Sequence, residues 1–380
     1  MTKLEEIIHH EIAEKGPMPF ARFMELALYY PRGAYYERDS QQVGRLGDFY
    51  SSVNVGSLFG ELLGFQFAVW MQELASERCQ LVETGAHDGR LATDILNYFN
   101  SHRPHLLKKL EYWIVEPSYR RQKWQQSTLH NLGYQARWFS SLEVLPSSGV
   151  CGIIFSNEFL DALPVHRFVW DANARKWFET GVTLRNGEFI WTKMVASSVG
   201  ENLPPVIPGE TRAVLPNGFT TEVCPTAINW WRRAAGVLSR GYLLTLDYGL
   251  EAEHFFLPGR EEGTIRAYYR HHATTEVLAN VGEQDITAHI NFTALREAGE
   301  GAGLKTIAFV SQEKLLIQIA QQIRQDGTAF SPWSSARTRQ FQTLTHPEHL
   351  GRSFHALIQA RNSSASRQKL DSYLHGSSDC

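Results

Sequence analysis

The stretch CQLVETGAHDGRLATDIL, residues 79–96, decides the fold. Leu81 and Val82 lie in an apolar strand that ends in Glu83, a glycine turn runs from Gly85 to Gly89, and a helix begins at once with Leu91, Ile95 and Leu96 on one face. Strand, tight glycine turn and amphipathic helix open a parallel βαβ unit, because glycine lets the backbone turn left-handed and come close to a ligand. The pattern is E-x-G-x-x-x-G, with Ala86 and His87 between the glycines, and His87 stands where many nucleotide loops carry a further glycine. Two readings follow: a cradle for a nucleotide-type cofactor, or a strand-to-helix turn whose glycines serve geometry alone.

Downstream the alternation continues. Strand EYWIVEP (111–117), helix SYRRQKWQQSTLHNL (118–132), strand QARWF (135–139) and strand VCGIIFSNE (150–158) predict an α/β fold, a Rossmann-like parallel sheet with helices on both faces. The buried strand GYLLTLDYG (241–249), the helix FTALREAGEGAG (292–303), the strand LKTIAFVS (304–311) and two more helices extend it. Upstream, residues 1–77 read as a helical cap with an active-site loop: helices over about 2–15, 20–30 and 58–75, with a glycine-rich loop at 38–57. The domain built on this sheet would then span 78–360, interrupted by insertions at about 165–225 and 250–290, with a flexible tail at 361–380. The first insertion reads as antiparallel strands over 167–171, 176–185 and 188–194, the second as polar loops.

The 380 residues are 43% hydrophobic and 20% charged, a globular composition with room for two domains or one large domain with insertions. With 37 basic and 40 acidic side chains the formal charge is −3, so no electrostatic drive towards nucleic acid or an acidic membrane is expected. Cys79, Cys151, Cys224 and Cys380 are widely spaced and frame neither a zinc site nor a redox dithiol, which suits a reducing compartment. The opening MTKLEEIIHHEIAEKG carries four glutamates and resembles neither a signal nor a transit peptide, and no segment approaches the roughly 20 apolar residues of a membrane span. A cytoplasmic protein is expected. The doublets His9-His10 and His271-His272 lack carboxylate partners at ligand spacing, so no metal is expected, and no nucleophile elbow, H-E-x-x-H pair or phosphate loop is present.

Further candidate residues sit at strand ends. Glu116, followed by Pro117, closes the second strand, where a carboxylate accepts hydrogen bonds from both hydroxyls of a ribose. It stands 27 residues after Gly89, more than the roughly 20 of a compact dinucleotide unit, which disfavours a nicotinamide cofactor. Trp138 and Phe139 offer rings for an adenine, or belong to the core. The fourth strand ends in SNEFLDALPVH (156–166), so Asn157, Glu158 and Asp161 would face a cofactor held by the first loop. Two carboxylates there can hold a cationic nucleophile; alternatively Asp161 caps a helix and Glu158 is a solvated strand end.

The blocks PFARFMELALYYPRGAYY, GRLGDFYSS, SLFGELLGFQ, LVETGAHDGRLATDIL, YWIVEPS, SNEFLDALPVHRF, LLTLDYG, GTIRAYYRHH and DITAHINFTAL run in order from about Pro17 to Gln359. Together they resemble the MidA-like S-adenosylmethionine-dependent methyltransferases, a family that includes a mitochondrial complex I assembly factor that methylates a protein arginine. The resemblance implies a class I methyltransferase fold, S-adenosylmethionine as cofactor and a protein substrate, with arginine the favoured acceptor. It places the glycine loop on Glu83, Gly85 and Gly89, the ribose acid on Glu116, the motif after strand four on Asn157, Glu158, Phe159, Leu160 and Asp161, and an active-site segment on Gly47, Asp48, Phe49 and Tyr50. Glu158, Asp161 and Asp48 then fall to the acceptor. Three departures stand out: His87 in the loop, Val53-Asn54 where members carry Pro-Glu, and Asn291 where an aspartate is usual. His87 keeps open a methyltransferase-fold binding protein without turnover, and the loop with its ribose acid keeps open a nicotinamide-dependent oxidoreductase.

Overall fold

The computed structural model describes residues 2–38, 51–130, 133–194, 205–207, 209–270, 272–327 and 330–362. They fall into two compact units, one drawn from Met1–Tyr50, Asp161–Asn229 and Gly249–Ala294, the other from Ser51–Leu160, Trp230–Tyr248 and Leu295–Cys380.

The second unit is built on seven strands: β1 (Cys79–Thr84), β2 (Leu110–Val115), β3 (Ala136–Phe139), β4 (Val150–Asn157), β5 (Leu238–Leu250), β6 (Lys305–Ser311) and β7 (Phe354–Arg361). Their order across the sheet is β3-β2-β1-β4-β5-β7-β6. From β3 to β5 neighbours run parallel, and β7 lies antiparallel to both β5 and β6. The order reverses between β1 and β4, so ligands are expected outside the carboxyl ends of those two strands. The sheet interior is Leu81, Val82, Ile114, Ile153, Ile154, Phe155, Leu243 and Leu244, each 1% exposed or less. Such near-continuous apolar strands form where both faces of a sheet are covered.

Helices α1 (Leu58–Leu74), α2 (Arg90–His102), α3 (Tyr119–His130), α4 (Gln312–Asp326) and α5 (Ser335–Thr345) surround this sheet. In α1 fourteen of seventeen residues are buried, so it has no wet face and must lie inside the unit. There Phe67 packs on Phe155 with ring centroids 4.9 Å apart, and Trp70 stacks on Tyr242 at 4.4 Å. The boundary expected at residue 77 is therefore not the edge of a compact unit: α1 and the residues from Ser51 onward go with the sheet, and the described residues up to Arg38 go with the other unit.

The first unit takes the helices Lys3–Lys15 and Phe20–Tyr29 and both insertions. The first helix starts at a capping box, with Thr2 Oγ1 accepting from Glu5 N–H at 3.1 Å and Glu5 accepting from Thr2 N–H at 2.6 Å. Strands His166–Asp171, Lys176–Arg185 and Glu188–Lys193 form an antiparallel meander, as expected, and Thr220–Val223 adds to its first strand. Met18–Pro19 pairs with Gly181–Val182. A buried cluster of Leu4, Ile8, Phe20, Phe23, Met24, Val182, Ile265 and Ile286 knits the helices to these strands. The region expected as polar loops holds a three-stranded sheet instead, Arg266–Tyr269 between His272–Thr274 and Asp285–Thr287. Those strands have three or four residues each, too few for a period-2 pattern to show.

Candidate active site

The loop after β1 is left-handed three times: φ is +80° at Gly85, +43° at His87 and +84° at Gly89. A β-carbon on Gly85 would stand 2.9 Å from Phe159 Cβ, so this glycine is required where the loop meets the turn after β4. His87 occupies a conformation that costs a residue with a β-carbon about 1 kcal/mol, which explains why glycine is frequent there and histidine tolerated. Its imidazole is partly exposed, with Nδ1 3.8 Å from Asp88 Oδ1. Burial raises the Asp88 carboxyl, but the neighbouring His87 ring, the charge of Arg90 and the bond accepted from Arg90 N–H outweigh it, so Asp88 sits below the usual range. Ala86 is buried. Beneath the loop Glu83 is 2% exposed and accepts from Tyr112 OH at 2.6 Å. Burial pushes its carboxyl up to about 7, against the Tyr112 bond and with help from the Asp88 charge.

Glu116 is 3% exposed at the tip of β2. One oxygen accepts from Ser118 N–H at 2.8 Å and lies 2.9 Å from the Arg121 guanidinium. The other accepts from Gln125 Nε2 at 3.3 Å. Pro117 is exposed. Trp138 and Phe139 on β3 are half-buried and differ in setting: Trp138 donates its indole N–H to Gln125 Oε1 at 2.9 Å, whereas Phe139 packs on Trp113 with centroids 5.3 Å apart.

After β4 the chain makes a turn that the sequence did not announce. Glu158 has φ +48°, a left-handed position for a residue with a long side chain. The turn is held from β5: Glu158 N–H donates to Leu246 O at 2.9 Å, and Asp247 Oδ2 accepts from Phe159 and Leu160 N–H at 3.2 and 2.8 Å. Glu158 Oε1 accepts from Ser52 N–H and from Asn157 Nδ2, each at 3.1 Å. Ser52 Oγ donates to Gln312 Oε1 at 3.1 Å, and Gln312 Nε2 to Leu344 O at 3.0 Å; Ser52, Gln312 and Leu344 are fully buried.

Glu83, Gly85, Ala86, His87, Gly89, Glu116, Trp138, Asn157 and Glu158 thus belong to one unit, on the loops and tips at the carboxyl ends of β1 to β4. Asp161 belongs to the other unit, 3% exposed, where its carbonyl accepts from Ala288 N–H at 2.9 Å and its charge raises the phenols of Tyr36 and Tyr268 behind the larger effect of burial. A turn follows it, so it caps no helix. Gly47, Asp48, Phe49 and Tyr50 lie outside the described residues. Among the described residues no group of three or more His, Cys, Asp or Glu could hold a metal ion, and no helix is long and apolar enough to cross a membrane. Gln125, Asp247, Ser52, Gln312 and Tyr112 were missed as site residues. Only Asp247, inside LLTLDYG, left a trace in the sequence, as a charge within an apolar strand.

These groups fit an adenosyl cofactor. The glycine loop brings backbone to the sheet end, Glu116 offers a carboxylate, and Thr84 Oγ1 and Asn157 Oδ1 are buried without a hydrogen-bond partner among the described residues. Buried polar atoms are nearly always bonded, so these two await a ligand or water.

The strand order with its antiparallel β7 and the loop at the β1/β4 switch define a class I methyltransferase fold. The family model described as "Putative S-adenosyl-L-methionine-dependent methyltransferase" matches residues 62–310, and the chain belongs to that family. Among similar proteins is the human "Protein arginine methyltransferase NDUFAF7, mitochondrial", 28% identical over 332 residues, which cover 79% of this chain and 70% of that protein. The rat protein of the same name is 26% identical over 384 residues, 93% of this chain and 84% of that protein. A crystal structure from Burkholderia thailandensis with bound S-adenosyl-homocysteine is 27% identical, with a TM-score of 0.79, covering 96% of this chain and 93% of that one. The chain is an S-adenosylmethionine-dependent methyltransferase, and the nicotinamide alternative falls.

Proposed function

We propose that this enzyme methylates an arginine side chain of a protein. The observation that carries the reading is Glu158, a carboxylate set at the carboxyl end of β4 by a left-handed turn and fixed on one oxygen by Ser52 N–H and Asn157 Nδ2. A guanidinium is planar, stays protonated in water and pairs best with a carboxylate, so an arginine acceptor needs a group of this kind beside the transferred methyl. The names of the mitochondrial relatives support the same acceptor. When bound, S-adenosylmethionine supplies a methyl group on a sulfonium centre, an electrophile that needs no metal. Glu116 grips the ribose hydroxyls, Trp138 flanks the base, and the Gly85–Gly89 backbone, Thr84 Oγ1 and Asn157 Oδ1 line the remainder of the cofactor's seat. Glu158 holds the guanidinium and takes the proton that the attacking nitrogen releases. The resemblance also assigns Asp161 and Asp48 to the acceptor. We also propose the cytoplasm as its location; widely spaced cysteines suit any reducing compartment, and cell fractionation tests the cytoplasm against the mitochondrial location in the relatives' names.

Single-turnover assays with methyl-labelled S-adenosylmethionine and a cell extract as acceptor test the reading. Label should appear in protein as methylarginine after hydrolysis. Glu158→Gln keeps the shape without the charge, so transfer should fall about a hundredfold while S-adenosylhomocysteine affinity changes less than about threefold. Undiminished transfer removes Glu158 from the chemistry, and label in nucleic acid or small molecules overturns the acceptor class.

A further inference from the structure

We infer that Gln125 is the positioning residue of the cofactor site, one amide that fixes the ribose carboxylate, the glycine loop and the tryptophan beside the base together. The inference rests on the reading of Glu116 as the ribose acid. Gln125 lies on α3 and is fully buried. Its Nε2 donates to Glu116 Oε2 at 3.3 Å and to His87 O at 3.1 Å, and its Oε1 accepts from Trp138 Nε1 at 2.9 Å. These bonds end on three separate elements: the tip of β2, the loop after β1, and β3. A primary amide alone combines two donors and an acceptor in one plane without charge, which this environment demands. The approach is close as well, since a β-carbon on Gly89 would stand 3.3 Å from Gln125 Cα. Gly89 therefore lets α3 sit against the loop at the distance these bonds need.

The bond to Glu116 bears most directly on the cofactor. Arg121 and Ser118 hold one carboxylate oxygen and Gln125 the other, so the plane of the carboxylate is set from both sides. Vicinal hydroxyls are recognised through that plane, and a carboxylate free to rotate would spend part of its time misdirected. The titratable and charged residues of the elements that meet at the amide are Glu116 itself, Arg121 on the same helix, His87 and Asp88 on the loop, Arg90 at the start of α2, and Glu83 at the end of β1.

Gln125→Glu tests this through pH. Deprotonated, the new side chain cannot donate to Glu116 or to His87 O and sets a second negative charge against Glu116; protonated, it regains a donor and keeps an acceptor in nearly the same shape. S-adenosylhomocysteine is titrated calorimetrically into variant and wild type at about pH 8 and about pH 5.5, and affinities are compared as ratios, so the titration of Glu83 common to both proteins cancels. The expected ratio is a loss of about tenfold or more at the higher pH that recovers to within about threefold at the lower, the loss of one hydrogen bond to a charge with added repulsion. A merely structural role would lower the melting temperature and leave the ratio flat, and a flat ratio near one overturns the inference. Glu116→Ala, run alongside, separates the two readings: loss in Glu116→Ala with none in Gln125→Glu refutes the role of Gln125 alone, and no loss in either refutes the ribose assignment beneath it. Should Gln125→Glu fail to fold, Gln125→Met keeps the length of the side chain and removes its donors and acceptor; a loss of about threefold or more is expected, and unchanged affinity overturns the inference.

Discussion

Glu83→Gln is the sharpest test of the buried chemistry under the glycine loop. The carboxyl is 2% exposed, accepts from Tyr112 OH at 2.6 Å and is pushed by burial up to about 7 from an ordinary 4.5. Tyr112 is itself raised well above its usual range by burial and by Glu83, so it stays a donor throughout. Below about pH 4.5 the carboxyl is protonated in folded and unfolded chain alike, and its contribution to stability is whole. As pH rises towards 7 the unfolded chain gives up this proton while the folded chain keeps it, and stability is lost across that window. A shift from 4.5 to about 7, at 1.36 kcal/mol per unit, makes the loss about 3 kcal/mol. Glutamine copies the protonated acid and still accepts from Tyr112, so the variant should match wild type near pH 4.5 and exceed it by up to about 3 kcal/mol near pH 8, roughly 5 °C in melting temperature. Differential scanning calorimetry at a series of pH values reads the difference curve directly. A difference that is constant with pH, or a variant less stable than wild type at pH 8, would refute a neutral Glu83.

His87→Gly relieves a left-handed β-carbon at a cost in chain entropy, so we expect stability unchanged or raised by about 0.5 kcal/mol in thermal melts and S-adenosylhomocysteine affinity retained; a tenfold loss of affinity would make the imidazole a ligand contact. Gln312→Leu strands the buried Ser52 hydroxyl and the Leu344 carbonyl, which should cost about 2–4 kcal/mol and reduce methyl transfer more than cofactor affinity. Adding Ser52→Ala removes the stranded hydroxyl, so the double variant should recover part of that stability in thermal melts, and simple additivity would deny the coupling.

What the sequence displayed well was periodic and local. The stretch 79–96 alternates in ways that only a strand, a glycine turn and an amphipathic helix satisfy, and its strand, loop and helix stand at Cys79–Thr84, Gly85–Gly89 and Arg90–His102. The strand Phe354–Arg361 was not legible, although it sits between β5 and β6. A strand covered on both faces has no alternation to show, and FHALIQAR suits a helix as well as a strand until its partners at Tyr242–Tyr248 and Lys305–Ser311 are known. Three of the site residues missed share one property: Gln125, Gln312 and Ser52 act through bonds to groups between 9 and 260 positions away, and glutamine and serine are ordinary surface residues until burial makes them otherwise.

The turn after β4 shows how such long-range bonds decide the chemistry. A left-handed Glu158 is unfavourable alone, by about 1 kcal/mol, and a chain with only local preferences would not adopt it. Leu246 O takes its N–H, and the fully buried Asp247 takes the next two, so three backbone donors that would otherwise be orphaned in the interior are met by one strand end. Hydrogen bonds to a charged acceptor contribute about 1.5–3 kcal/mol each, enough to outweigh the strained residue. The consequence is directional. An extended continuation of β4 would send alternate side chains to the two faces of the sheet, whereas the left-handed step turns the chain across the strand end and lets Ser52 N–H fix the carboxylate there. Asp247 on the neighbouring strand is therefore what makes Glu158 available at the sheet's carboxyl edge, and the N-E-F-L-D motif can be understood only together with the L-D-Y-G strand that receives it.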